Sequence, residues 1–147
     1  MIKKEGKFRY LEKGEGRPLI LLHGLMGGVD NFGSMVDIVA SAGFKVLAPD
    51  LKLFEVPLLK TSINYLSEYL HDFMEYKKME KAILVGNSLG GHIALIFSKK
   101  HAEKVDGLIL TGSSGLYEKA MGDTFPRRGD YDYIKVKTEE VFYDPKT

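Results

Sequence analysis

The stretch Ile83-Leu84-Val85-Gly86-Asn87-Ser88-Leu89-Gly90-Gly91-His92-Ile93-Ala94-Leu95 leaves the chain few ways to fold. An apolar run of strand length enters Gly86-x-Ser88-x-Gly90, and an apolar helical run leaves it. In that context the five residues read as a nucleophile elbow. The serine is held in a tight, strained turn, and its hydroxyl stands clear of the sheet. Glycine is needed on both flanks because a Cβ there would crowd the strand against the helix. The helix behind Ser88 turns its unpaired N–H groups and positive dipole end toward any negative charge forming at the serine.

Upstream, Pro18-Leu19-Ile20-Leu21-Leu22 is apolar without alternation. That predicts a strand buried on both faces, as in a parallel sheet. It runs into His23-Gly24-Leu25-Met26-Gly27-Gly28, a glycine-rich loop whose backbone can approach a ligand closely. The loop has neither G-x-G-x-x-G nor Gly-Lys-Ser/Thr, so a phosphate cradle is the poorer reading. A loop offering backbone N–H groups to a developing oxyanion fits better.

Further strands are expected at Phe8–Lys13 (closed by Gly14-Glu15-Gly16), Phe44–Ala48, Lys81–Val85 and Val105–Thr111. Helices are expected over Asn31–Ala42, capped by Asp30 or Asn31 and stopped by Gly43; from a Thr61 or Ser62 cap to about Lys78; and from Gly90 onward. Ile63, Leu66, Leu70, Phe73 and Met74 keep a helical period, so the second helix lays one stripe on the sheet. Ile93 to Phe97 are apolar in succession, so the third is expected to be covered on both sides. After Gly115 the pattern degrades, and only a short helix over Thr138–Tyr143 is expected. Strands alternating with helices predict an α/β fold, a mainly parallel sheet with helices on both faces. Ligands of such sheets sit beyond the carboxyl ends of the strands. His23-Gly24, Asp50, Ser88 and Gly112-Ser113 all fall at that edge.

The 147 residues suit one domain with a real core, and 44% hydrophobic against 28% charged residues is ordinary for a globular chain. A formal charge of +1 provides no field for nucleic acid or an anionic membrane. No apolar run reaches the length of a membrane span, and the N-terminus lacks an apolar leader core. There is no cysteine, hence no disulfide or thiolate chemistry, which fits a reducing compartment. The expectation is a cytoplasmic protein with no cofactor and no metal, acting on a small molecule.

Leu21-Leu22-His23-Gly24, Ala48-Pro49-Asp50-Leu51, Gly86-Asn87-Ser88-Leu89-Gly90-Gly91 and Leu110-Thr111-Gly112, in this order and at these separations, resemble the N-terminal part of an α/β-hydrolase of the esterase, lipase and C–C bond hydrolase branch. The resemblance covers the chain to about Gly115. It implies Ser88 as nucleophile and the backbone N–H groups of Leu25 and Leu89 as oxyanion hole. His23, Gly24, Gly86, Asn87 and Gly90 would support the site. It also implies an ester or related carbonyl substrate. Ser rather than Asp at 88 argues against dehalogenase-like or epoxide-hydrolase-like chemistry. Residues 1–115 would be the hydrolase core, and 116–147 the start of a lid.

The family orders its triad as Ser, then Asp or Glu, then His. Here all four histidines come before the place where the base belongs. His23 is expected to hold its loop in shape, His92 to pack the elbow, and His71 and His101 to be solvated. Asp50 is expected to order its turn, and Asp106 lies at the wrong end of its strand. The chain therefore reads as the N-terminal part of a serine hydrolase, inactive by itself for lack of acid and base. An acyltransferase of the same fold, or a non-catalytic binding domain retaining the elbow, are the alternatives. The apolar strand Val105–Thr111 would lie at a sheet edge, which predicts self-association.

Overall fold

The computed structural model describes residues 2–25, 27–53, 62–116 and 132. The chain divides into two compact units, Met1–Leu116 and Tyr117–Thr147, and the sheet with its helices belongs to the first. The expected helix over Thr138–Tyr143 and, apart from Leu116 and Asp132, the expected lid segment lie outside the described residues.

Six strands form one sheet in the order β1-β2-β4-β3-β5-β6: β1 Ile2–Glu5, β2 Phe8–Lys13, β3 Arg17–Leu22, β4 Phe44–Pro49, β5 Ala82–Asn87 and β6 Val105–Thr111. β3, β4, β5 and β6 run parallel, while β1 and β2 join antiparallel beside β4. The sheet is thus mainly parallel. The apolar runs behave as their lack of alternation requires, with Leu19 to Leu22 of β3 and Val46 to Pro49 of β4 all buried. In-register pairing of Leu22 with Gly86, and of Asn87 with Thr111, brings the carboxyl ends of three strands to one level.

Helices cover both faces. α1 (Met35–Ser41) packs on β4 and β2. Its side of the sheet holds Leu19, Leu21, Val36, Val46, Ala48 and Val85. On the other face α3 (Leu89–Lys100) packs on β3, β5 and β6 and against α2 (Ile63–Tyr76). Ser62 caps α2, its hydroxyl accepting the Tyr65 N–H at 3.1 Å. The periodic Leu66, Leu70, Phe73 and Met74 are buried as expected, and Phe73 packs edge-on to Phe8 and Tyr10 with ring centroids 5.4 and 5.2 Å away. In α3, Ile93, Ala94 and Phe97 are buried, but Leu95 and Ile96 are only half-buried. The expected all-round cover is therefore incomplete.

One strand lies outside the expected set, and one expected helix needs correcting. The N-terminal Ile2–Glu5 forms β1, although its charged residues hide any strand pattern. It exists because it pairs with β2 across a tight turn at Gly6, where φ is +56°. The helix expected over Asn31–Ala42 is broken in two. A short 3-10 turn covers Val29–Phe32, and α1 starts only at Met35. The Asn31 side chain does not cap a long helix. It accepts the Gly28 N–H at 2.7 Å, and Gly33 (φ +44°) separates the two pieces.

Candidate active site

β5 delivers Ser88 to the carboxyl edge of the sheet, and α3 starts at the next residue. Ser88 takes φ +51° and ψ −117°, a conformation that no L side chain favours and that costs about 1–3 kcal/mol. The residue is exposed, and its hydroxyl makes no hydrogen bond to any described residue. The backbone around it is fully engaged. Its N–H donates to Thr111 O at 3.1 Å, and its carbonyl accepts N–H groups from Gly91, His92 and Ser114 at 3.1, 3.3 and 3.2 Å.

The glycines around the turn are dictated by backbone. A Cβ on Gly86 would lie 2.5 Å from Gly91 Cα, and one on Gly90 only 2.0 Å from Leu22 O. Strands β5 and β3 can approach helix α3 this closely only without those side chains. The loop after β3 closes over the turn from the other side. A Cβ on Gly24 would lie 3.2 Å from Ser88 Cβ and 3.4 Å from Asn87 Oδ1. The structure thus brings Gly24, Gly86, Asn87, Ser88 and Gly90 together.

His23 stands under that loop, almost completely buried. The Leu51 N–H donates to its Nε2 at 3.2 Å, so that nitrogen is an acceptor and Nδ1 carries the proton. Nδ1 lies 2.9 Å from Gly24 O. Both ring nitrogens are spent, and the imidazole ties the glycine loop to the end of β4. Leu25 is 56% exposed. Neither its N–H nor that of Leu89, the first residue of α3, is taken up by a turn or loop hydrogen bond among the described residues. These are the two donors expected to face an oxyanion.

The remaining candidates are engaged elsewhere. Asp50 pairs with Arg9 at 2.7 Å and accepts the Lys52 N–H at 3.1 Å, so it orders its turn. Asp106 pairs with Arg17 at the opposite end of the sheet. His92 lies against Gly115, where a Cβ would come within 2.5 Å of its ring. The expected solvation of His71 and His101 is corrected. Their rings stack with centroids 4.5 Å apart where α2 meets α3, and His101 Nε2 is buried. Among the described residues no cluster of His, Asp or Glu is arranged to hold a metal, and no helix is long and apolar enough to cross a membrane. A cavity of about 210 Å³ opens beside the elbow, between Gly24, Phe32, Met35, Val85, Asn87 and Thr111.

Sequence reasoning gave no anchoring role to Thr111 and Ser114, whose backbones hold Ser88 in place. Their only signal was position, just where β6 ends at the ligand edge.

A family model described as the alpha/beta hydrolase fold matches residues 17–142. The chain belongs to the α/β-hydrolase fold family. Within it, the chain is 33% identical over 148 residues to a 2-hydroxy-6-oxo-6-(2'-aminophenyl)hexa-2,4-dienoic acid hydrolase of Metapseudomonas resinovorans, covering 91% of this chain and 51% of that one. It is 30% identical over 145 residues to Lipase 1 of Psychrobacter immobilis, covering 93% and 45%. Among solved structures it resembles MGS-MChE2, an α/β-hydrolase enzyme from the metagenome of lagoon sediments at Mar Chica, Morocco. That match has 48% identity and a TM-score of 0.76 over 94% of this chain and 62% of the other. The chain spans about half the length of the curated relatives it matches. These α/β-hydrolase relatives are a dienoic acid hydrolase and a lipase by name.

Proposed function

We propose that this α/β-hydrolase chain is the nucleophile-bearing part of a serine hydrolase that cleaves an ester or related carbonyl bond through an acyl-enzyme on Ser88. The single observation that carries the reading is the strained, exposed serine at the start of α3, with a glycine loop closing over it. Strain of that kind persists where it has a use. Ser88 Oγ attacks the carbonyl carbon, and the carbonyl oxygen gains charge. The N–H groups of Leu25 and Leu89 and the dipole of α3 stabilise that charge. The leaving group departs with a proton, and water then releases the acyl group. The cavity beside Asn87 holds part of a small substrate. The lipase and dienoic acid hydrolase relatives favour water over another acyl acceptor.

Attack requires a base that takes the serine proton. His23 has no free nitrogen, His71 and His101 stack on each other between α2 and α3, and the His92 ring packs against Gly115. The described residues therefore form an acyl-transfer site short of its base and acid, and this chain alone is a poor catalyst. A cytoplasmic setting belongs to the same proposal and rests on the cysteine-free composition. So does self-association through β6, whose outer side pairs with no strand among the described residues.

Fluorophosphonate labelling tests the reading. This chain should label weakly. A longer version of the protein should label strongly and hydrolyse p-nitrophenyl acetate, and Ser88→Ala should abolish both. A longer version that keeps its esterase activity after Ser88→Ala would remove Ser88 from the chemistry. Strong labelling of the present chain would mean that it already holds a working base.

A further inference from the structure

The geometry points to the hydroxyl of Thr111, the last residue of β6, as a positioning group for Ser88 that acts through Asn87. This deepens the reading of Ser88 as nucleophile, and no substrate contact is assigned to Thr111.

The assignment rests on how the donors and acceptors are shared out. Ser88 holds a backbone conformation it would leave if released, so something outside the turn must fix it. The Thr111 carbonyl accepts two N–H groups, one from the Ser88 backbone and one from Asn87 Nδ2, each at 3.1 Å. A carbonyl only accepts, so it also fixes which way round the Asn87 amide sits. Asn87 Nδ2 lies 3.1 Å from Thr111 Oγ1 as well. The Asn87 amide nitrogen thus donates to both oxygens of one residue, and the Asn87 oxygen is left toward Gly24. Thr111 is β-branched and its side chain is stiff, so the hydroxyl is held where the amide needs it. Two consecutive residues at the apex of the elbow are therefore anchored to a single residue on the neighbouring strand. That strand is the least covered of the parallel four, with Leu108 and Ile109 exposed. The nucleophile takes its geometry from the strand with the weakest support of its own.

Amide hydrogen exchange read by NMR on the present chain tests this without any catalysis. Thr111→Val keeps the shape and the backbone carbonyl but removes the hydroxyl, one of the two oxygens that accept from Asn87 Nδ2 and itself a donor to Gly86 O at 3.5 Å. It should speed exchange of the Ser88 amide by about tenfold or more, while the Leu84 and Phe97 core amides keep their wild-type rates. Asn87→Ala should do the same. Thr111→Ser, which restores the hydroxyl, should stay within about threefold of wild type. A Ser88 amide that exchanges at the wild-type rate in Thr111→Val overturns the assignment. So does equal acceleration at Leu84 and Phe97, since Thr111 would then be supporting the fold in general. An effect in Thr111→Val that is absent from Asn87→Ala overturns the route through Asn87. Because the readout is exchange, it stands even if fluorophosphonate labelling later shows that Ser88 is not a nucleophile.

Discussion

Ser88 works against its own backbone. The conformation that lifts its hydroxyl out of the sheet is one that glycine adopts freely and serine does not. Ser88→Gly should therefore raise stability by about 1 kcal/mol while deleting the proposed nucleophile, whereas Ser88→Ala, still a non-glycine residue at positive φ, should stay close to wild type. Urea midpoints decide it, and a Ser88→Gly midpoint at or below wild type would mean the turn is not strained. His23 shows a different kind of residue-scale commitment. Its two nitrogens bridge Leu51 and Gly24, so a ring close to Ser88 is unavailable as a base for it.

Between elements, the tightest fit is backbone on backbone. β3 and α3 meet at Gly90, where a methyl would overlap Leu22 O. Gly90→Ala should lose about 3 kcal/mol in chemical denaturation, and a loss under about 1 kcal/mol would mean that α3 can shift away at little cost. A second junction is ionic. Glu12 of β2 receives Lys3 of β1, Lys45 of β4 and Lys77, just past the end of α2, at 3.2, 3.3 and 3.0 Å. Burial pushes the Glu12 carboxyl up, and hydrogen bonds from Lys77, Lys3 and Lys45 outweigh it and hold it at about 2 against an ordinary 4.5. The folded value lies below the unfolded one. The stabilisation is therefore complete above about pH 5 and fades as pH falls toward about 2. Glu12→Gln should cost about 2 kcal/mol at neutral pH and only a small fraction of that near pH 2. Equal losses at both pH values would show that the carboxylate charge is not what joins these elements. The same scale explains what the sequence disclosed. β3, β4, β5 and α2 announce themselves locally, by unbroken apolar runs and a helical stripe, because each is buried by its own pattern. β1 does not, since Lys3, Lys4 and Glu5 become a strand only by pairing with β2. The break before α1 was hidden because Asn31, a good helix cap, spends its side chain on Gly28. The elbow was legible from its glycines. Its anchor on Thr111 was not, since that contact crosses from one strand to the next.

At the scale of the whole molecule the two margins of the sheet differ in kind. β1 is four residues long and carries Lys3, Lys4 and Glu5, the features by which sheets discourage further pairing. β6 is seven residues long with one charge, Asp106, and that charge is already paired with Arg17. If β6 is where copies meet, Leu108→Lys should convert the sedimenting species to a single chain without unfolding it. A wild-type protein that sediments as one chain at roughly 100 μM, far above ordinary self-association constants, would end that reading. The asymmetry also limits how far such assembly can go. Two β6 strands meeting about a two-fold axis would use up that margin of each sheet, and the lysine-bearing strands would then face outward on both sides. Pairing through the described sheet would then close on two copies and leave no second β6 on which a fibre could lengthen.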